Sequence, residues 1–183
     1  MHRLPTIEPE QATGDAKVLL ERVSSTFGLV PNMTKVMANS PALLHGYLVL
    51  SGALATGTLD AGVRERIAVA VAEANECEYC LSAHSYIGAN IAKVDKAELE
   101  RARVADSRNA HTRAILRLAD AVVRGRGEVS DELFQQVRAA GVTEREIAET
   151  VGHVALNVLT NLFNKLARVD NDWPIVAPHQ RAA

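Results

Sequence analysis

The chemistry that this chain offers centres on its two cysteines, Cys77 and Cys80, which form a Cys-x-x-Cys pattern followed by His84. If the chain is helical from Tyr79 onward, the three side chains lie on one helical face, because residues three and four apart are neighbours. A thiol near a helix start and beside a base has a lowered pKa, since the helix dipole and a nearby cation favour the thiolate. The spacing therefore predicts a redox-active dithiol.

Glu65 is a fourth ionisable residue that could join this group. It precedes Cys77 by twelve residues. In one unbroken helix that separation is about 18 Å along the axis, which is too far for proton transfer. The polar residues Asn75 and Glu76 offer a bend, which would place the cysteines at the start of a new helix. We therefore expect two helices here, and the site requires the bend.

These residue types supply each part of a peroxide reduction. A thiolate attacks the peroxide, the leaving oxygen takes a proton, and the resulting sulfenic acid condenses with a second thiol to give a disulfide. The two cysteines provide the sulfurs, and His84 and Glu65 provide the acid and base groups. General acid and base help of this kind is typically worth about 10²- to 10⁴-fold in rate.

The composition argues against several other functions. The net charge is −2 and the sequence pI is about 6.3, with basic and acidic residues interspersed, so no nucleic acid and no membrane is an expected partner. No stretch reaches the roughly 18 apolar residues of a membrane span, and the start of the chain lacks the apolar core of a signal peptide. We therefore expect a cytoplasmic protein, where a close cysteine pair is more often catalytic or metal-binding than structural.

Helical periodicity runs through nearly the whole chain after residue 12, and strand and hairpin signals are missing. The sequence predicts one all-α domain over residues 1–183, with an N-terminal arm over 1–12 and an extended C-terminal tail over 170–183. Residues 28–32 interrupt the helical pattern, which predicts a break between helices. The predicted helices cover residues 15–27, 41–57, 61–74, 79–93, a short piece after 95, 109–123, 130–140 and 143–167.

A short internal similarity leaves open two degenerate half-repeats. Residues 65–68 match residues 145–148 at an offset of 80. The same offset sets Asn157, Thr160 and Asn164 opposite the two cysteines and His84, so the second copy would keep the helix and lose the chemistry.

Residues 65–72 followed by residues 77–84 resemble the signature of the alkylhydroperoxidase D (AhpD-like) family, within the carboxymuconolactone decarboxylase superfamily. Segments 28–32, 40–41, 161–164 and 172–174 are similar to its peroxidase-related branch. The resemblance implies a helical protomer in a homotrimer or homohexamer, and peroxide reduction with no cofactor, metal or haem. It also implies that Cys80 is the peroxidatic thiolate and Cys77 the resolving thiol, with Glu65 and His84 as the proton relay.

One position departs from the family pattern, because Tyr79 stands where the best-studied type has a second histidine. A phenol is a poorer base at neutral pH, although it can donate a hydrogen bond to a sulfur or a peroxide oxygen. Tyr79 is a candidate pocket residue, and so is His153, for which a satisfied core histidine is the alternative. The chain has no Gly-rich nucleotide loop, so the reductant is expected to be an external dithiol, either a thioredoxin-like or a lipoyl protein.

Other interpretations stay open at this point. The cysteines could be inert buried residues, or could bind zinc together with His84 and a carboxylate. The superfamily also includes lactone decarboxylases, and a non-turnover redox sensor would use the same dithiol. A c-type haem is rejected, because Leu81 and not histidine follows Cys80.

Overall fold

The computed structural model describes residues 3–179, and this part of the chain is all-α, as the sequence predicted. Residues 1–2 and 180–183, the outer parts of the predicted arm and tail, lie outside the described residues. The helices are α1 (Gly14–Phe27), α2 (Asn32–Met37), α3 (Pro41–Ala55), α4 (Ala61–Ala74), α5 (Glu78–Asn90), α6 (Lys96–Ala102), α7 (Ala110–Gly125), α8 (Asp131–Ala139) and α9 (Glu144–Ala167).

Side-chain caps fix most helix starts at the predicted positions. Ser40, Asp60, Asn109 and Ser130 each accept a hydrogen bond from the backbone N–H three residues later. Such a bond satisfies one of the N–H groups that a helix leaves unpaired. The predicted capping box at Thr143 is present, with both of its reciprocal hydrogen bonds.

Most helix ends lie within two residues of the prediction, and the larger differences concern α5 and α2. The cysteine-bearing helix α5 ends at Asn90 rather than near residue 93. The short helix α2 starts inside the segment expected to be a break. Gly28 ends α1 in a left-handed conformation with φ 73°. The chain becomes helical again after Pro31, where α2 begins. A helix of six residues is too short for its periodicity to be read from sequence.

Helix α4 is the centre of the molecule and carries Glu65 on its first half. All six residues from 67 to 72 are buried. This run has no polar face, which is typical of a helix surrounded by others. Helix α4 packs against α5, α6, α7 and α9, so that Glu65 has a fixed position relative to both α5 and α9.

The described part of the C-terminal tail, residues 170–179, lies outside the helices and runs along α5 of the same chain. The ring of Trp173 is 5.4 Å from that of Tyr86. Ser82 Oγ accepts hydrogen bonds from Asn171 Nδ2 at 3.0 Å and from the Val176 N–H at 2.9 Å. These contacts hold the tail beside the helix that contains Cys80.

No helix in residues 3–179 has the length and apolar character needed to cross a bilayer. The proposed half-repeat pairs two helices, α4 and α5, with the single helix α9, which has no bend at the matching position. The repeat therefore stays a prediction.

Candidate active site

The bend expected between Glu65 and the cysteines lies at residues 75–77. The Glu76 N–H bonds to the Glu73 carbonyl at 3.1 Å, and the Cys77 N–H bonds to the Ala72 carbonyl at 2.9 Å. Together with the left-handed φ of 53° at Glu76, these are the bonds of a Schellman helix end. A left-handed non-glycine residue costs roughly 1–2 kcal/mol, which the surrounding packing must offset.

Cys77 ends this turn and caps the next helix. Its backbone is extended, and its sulfur accepts a hydrogen bond from the Cys80 N–H at 3.4 Å. Cys80 is the third residue of α5 and so lies in the first turn, where the helix dipole favours an anion. Both cysteines are free thiols, 1% and 2% exposed, and Cys77 Sγ is 2.6 Å from Cys80 Sγ.

Glu65 and His84 meet across the interface of α4 and α5. His84 Nδ1 donates to Glu65 Oε2 at 2.8 Å, and the two side chains remain 25% and 20% exposed. Gly88, one turn after His84, permits the close approach of the helices: a Cβ there would lie 2.8 Å from Leu99 Cδ2 and 3.5 Å from Glu65 Cβ. The structure thus brings together the four residues that the spacing singled out, as two adjacent pairs.

The two thiols differ in acidity because of their surroundings. Burial raises the pKa of Cys80, but hydrogen bonds from Cys77 and Asn164 and the charge of His84 outweigh it and lower the pKa to about 7. The hydrogen bond that Cys77 makes to Cys80, together with burial, raises the pKa of Cys77. The first proton to leave the pair therefore leaves Cys80.

The surroundings of His84 favour its cationic form. Burial alone would lower its pKa, but the negative charge of Glu65 and the hydrogen bond to it raise the pKa above the ordinary histidine value. A charged imidazole next to Cys80 in turn favours the thiolate. Glu65, His84 and Cys80 therefore form a chain of alternating charge.

Tyr79 does not donate its hydroxyl proton to either sulfur. The hydroxyl donates to Asp172 Oδ2 at 2.6 Å and accepts from the Met33 N–H at 3.3 Å. Burial, and then the hydrogen bond and charge of Asp172, raise the pKa of Tyr79. The residue that departs from the family pattern is thus tied to the C-terminal tail.

His153 lies on α9, is buried, and has no hydrogen-bond partner for Nε2 among the described residues. Burial and the positive charge of Arg64 lower its pKa, against a smaller opposing effect of Glu149 and Glu65. These surroundings favour the neutral form of His153.

Sequence reasoning missed three residues at this site. Asn164 Nδ2 donates to Cys80 Sγ at 3.2 Å, and Asn161 contributes to the lowered pKa of Cys80. Burial, and then the charges of Glu65 and Cys80, raise the pKa of Tyr47 to about 12. The available signal was the presence of asparagines on the buried face of an otherwise amphipathic helix.

A surface cleft of about 360 Å³ is lined by Cys77 and not by Cys80. Its basic side chains are those of Lys165 and Arg168, and the positive charge of Lys165 acts on Cys77. The lining residues are Glu76, Cys77, Glu78, Tyr79, Asn164, Lys165, Arg168, Val169, Asp170 and Asn171. Within residues 3–179 no three His, Cys, Asp or Glu side chains are grouped so as to hold a metal ion.

Comparison with known protein families finds a match over the middle of the chain. Residues 41–121, which include both pairs of site residues, match the Carboxymuconolactone decarboxylase family. No curated protein sequence is significantly similar to the chain. The family match, together with the solved structures described next, supports the resemblance to the AhpD-like family of the carboxymuconolactone decarboxylase superfamily that was seen in the sequence.

Solved structures share the fold over nearly the whole chain. The alkylhydroperoxidase AhpD core protein of Ralstonia eutropha JMP134, named peroxidase-related, is 25% identical with a TM-score of 0.82 and covers 93% of this chain and 92% of its own. A peroxidase-related protein of Silicibacter sp. TM1040 is 23% identical with a TM-score of 0.78, over 92% and 89%. The debrominase Bmp8, in complex with 2,3,4-tribromopyrrole, is 19% identical with a TM-score of 0.79, over 94% and 92%.

Proposed function

We propose that the protein is a thiol-dependent peroxidase that cycles between a Cys77–Cys80 dithiol and disulfide. The observation that carries this proposal is the contact of the two sulfurs at 2.6 Å. Their surroundings lower the pKa of Cys80 to about 7 and raise the pKa of Cys77, which favours the thiolate on Cys80. The Glu65–His84 pair beside them supplies a proton donor and acceptor. The name of the peroxidase-related neighbours agrees with this chemistry.

The first step oxidises Cys80. Its thiolate attacks one peroxide oxygen, an S–O bond forms, and the O–O bond breaks. The leaving oxygen takes the proton of His84 and departs as an alcohol or water, which leaves a sulfenic acid on Cys80. Glu65 stabilises the imidazolium before transfer and fixes the orientation of its ring.

The second step forms the disulfide. Cys77 gives its proton to the neutral His84 and attacks the sulfenic sulfur, and hydroxide leaves from that sulfur as water after taking the proton. An external dithiol, thioredoxin-like or lipoyl, then reduces the disulfide through two thiol exchanges. We place this cycle in the cytoplasm and in a homotrimer or homohexamer.

The test follows the thiols directly. Reduced protein is mixed with one equivalent of an organic hydroperoxide, and intact mass and free thiols are measured over seconds. The wild type should lose about two mass units and both thiols, since two hydrogens leave as the disulfide forms. Cys77→Ser should stop at a sulfenic acid that a dimedone probe traps on Cys80, whereas Cys80→Ser should not react. Survival of both thiols in excess peroxide would overturn the proposal.

Additional experiments distinguish a peroxidase from the other functions considered above. With a dithiol reductant present, a peroxidase consumes many equivalents of peroxide, whereas a redox sensor stops after one per cysteine pair. A lactone decarboxylase would be indifferent to Cys80→Ser. A bromopyrrole substrate in place of the peroxide tests whether the dithiol reduces carbon–bromine bonds, as the debrominase with this fold is named for.

A further inference from the structure

Asn164 of α9 contacts the sulfur of Cys80, and Asn161 lies three residues before it on the same helix. Asn164 Nδ2, which carries two hydrogens, donates to Cys80 Sγ at 3.2 Å and to Met33 Sδ at 3.3 Å. Asn164 is only 3% exposed, so little water competes for the amide. A thiol sulfur is a weak acceptor and a thiolate a much stronger one. The Asn164 amide therefore gains most when Cys80 is ionised.

Asn161 supplies a second donor, and this donor is unused in the structure. Its Oδ1 accepts a hydrogen bond from Asn75 Nδ2 at 2.9 Å, which fixes the orientation of the amide. Its Nδ2 is buried and has no hydrogen-bond partner among residues 3–179. Even so, Asn161 contributes to the lowered pKa of Cys80. A buried donor without a partner is costly, so a state of the site that pairs it is favoured.

We infer that Asn164 and Asn161 are catalytic residues that together hold the ionised sulfur of Cys80. The inference rests on the proposed function, in which Cys80 is the attacking thiolate. The same two donors serve the return half of the cycle. When an external thiolate attacks the Cys77 sulfur of the disulfide, the S–S bond breaks and Cys80 leaves with the electron pair, into the site where the amides stabilise it.

The test measures the ionisation of Cys80 without any peroxide. In a Cys77→Ser parent Cys80 is the only thiol, and its rate of alkylation by iodoacetamide against pH reports the thiolate. Asn164→Leu and Asn161→Leu should each move the midpoint upward by about one pH unit, because a hydrogen bond to a charged group is lost. Asn164→Asp should move it further, because it sets a carboxylate beside the thiolate.

Asn157→Leu is the matched control. Asn157 is buried on the same helix, but its amide donates to the His153 carbonyl and does not contact Cys80. Its midpoint should equal that of the parent. Unchanged midpoints in the Asn164 and Asn161 variants, or an equal shift in Asn157→Leu, would overturn the inference. Circular dichroism shows which variants are folded. A folded variant at Asn164 tests the role of Asn164, and a folded variant at Asn161 tests the role of Asn161.

A peroxide assay on the same variants keeps the two proposals apart. If the asparagine variants shift the midpoint but the Cys77→Ser parent does not react with peroxide, the proposed peroxidase function is refuted and the inference about the two amides stands. If the parent reacts with peroxide but the asparagine variants keep its midpoint, only the inference about the two amides is refuted.

Discussion

The hydroxyl of Tyr79 donates a 2.6 Å hydrogen bond to Asp172 Oδ2, and through it the residue next to Cys80 is joined to the C-terminal tail. Asp172 also accepts from the Asn32 N–H at 3.0 Å, so the same carboxylate joins the tail to α2. Three segments that are distant in sequence thus meet at one carboxylate beside the dithiol. Tyr79 has a role in holding the site together, where the family pattern has a residue that titrates near neutral pH.

We therefore expect Tyr79→Phe to lower stability and to leave the chemistry of Cys80 in place. The variant removes the acceptor of the buried Met33 N–H and the donor to Asp172, a loss of about 1–3 kcal/mol in the free energy of unfolding. Urea unfolding measures the loss. Tyr86→Phe is the control, because the Tyr86 hydroxyl makes no hydrogen bond with the described residues. A large fall in the rate of thiol oxidation with unchanged stability would contradict this role.

The rate of thiol oxidation by peroxide should follow a bell-shaped pH profile. It should rise through about pH 7 as Cys80 ionises and fall again above the raised pKa of His84, where the proton donor is lost. Glu65→Gln removes the charge that holds the imidazolium, so the falling limb should move to lower pH. The rate near pH 7 should decrease on the order of 10²-fold. Stopped-flow measurement of thiol loss checks both effects.

Glu73→Gln is the control for that experiment. Glu73 is a buried carboxylate on the same helix, but it pairs with Arg103 at 2.7 Å and accepts from the His179 N–H of the tail. Its replacement should reduce stability and leave the pH profile unchanged. A fall in rate as large as that of Glu65→Gln would show that any lost carboxylate on α4 disturbs the site.

His153 and His111 should make the free energy of unfolding depend on pH in opposite directions. Burial, and then the charge of Arg64, lower the pKa of His153. The unfolded chain binds its proton near pH 6.5 while the folded chain does not, so stability is present above that pH and is lost as pH falls. The hydrogen bond with Glu146 raises the pKa of His111. That contribution is present below about pH 6.5 and is lost as pH rises.

Thermal unfolding at about pH 7.5 and about pH 5.5 tests both signs. His153→Leu should lose less stability on acidification than the wild type, because no buried neutral imidazole competes for the proton. His111→Gln should lose more, because the charged pair with Glu146 is gone. Identical slopes for the wild type and His153→Leu would show that His153 is not held neutral.

The capping box of α9 should be worth about 1 kcal/mol. Thr143→Ala removes the hydroxyl that accepts from the Glu146 N–H at 3.3 Å and so leaves a helix terminus unsatisfied. Chemical denaturation gives the difference in free energy. Thr13→Ala is the comparison, since Thr13 is the N-cap residue of α1 but makes no side-chain cap hydrogen bond, and it should change stability much less.

Features set by neighbouring residues could be predicted from the sequence. The caps at Asp60 and Thr143 and the bend at residues 75–77 depend on residues within a few positions of each other. The pairing of Glu65 with His84 follows once that bend is assumed. The roles assigned to these residues still await the experiments above.

Features that depend on distant segments could not be predicted. Asn164 is 84 residues from Cys80, and the helical pattern of α9 shows that this asparagine is buried but not which sulfur it meets. The docking of Asp172 on Tyr79 spans 93 residues. The short helix α2, which supplies Met33, gives no periodic signal of its own.

The Schellman turn at residues 75–77 also sets how the chain can tolerate changes in length. Each residue added to a helix rotates what precedes it by about 100° and shifts it by about 1.5 Å. One alanine inserted between Glu65 and Ala74 would turn the carboxylate away from His84, although every side chain of the site was retained. The same insertion in the connection at residues 126–130, between α7 and α8, would move none of these residues. The count of residues between Glu65 and the turn is therefore as much a part of the site as the residues themselves.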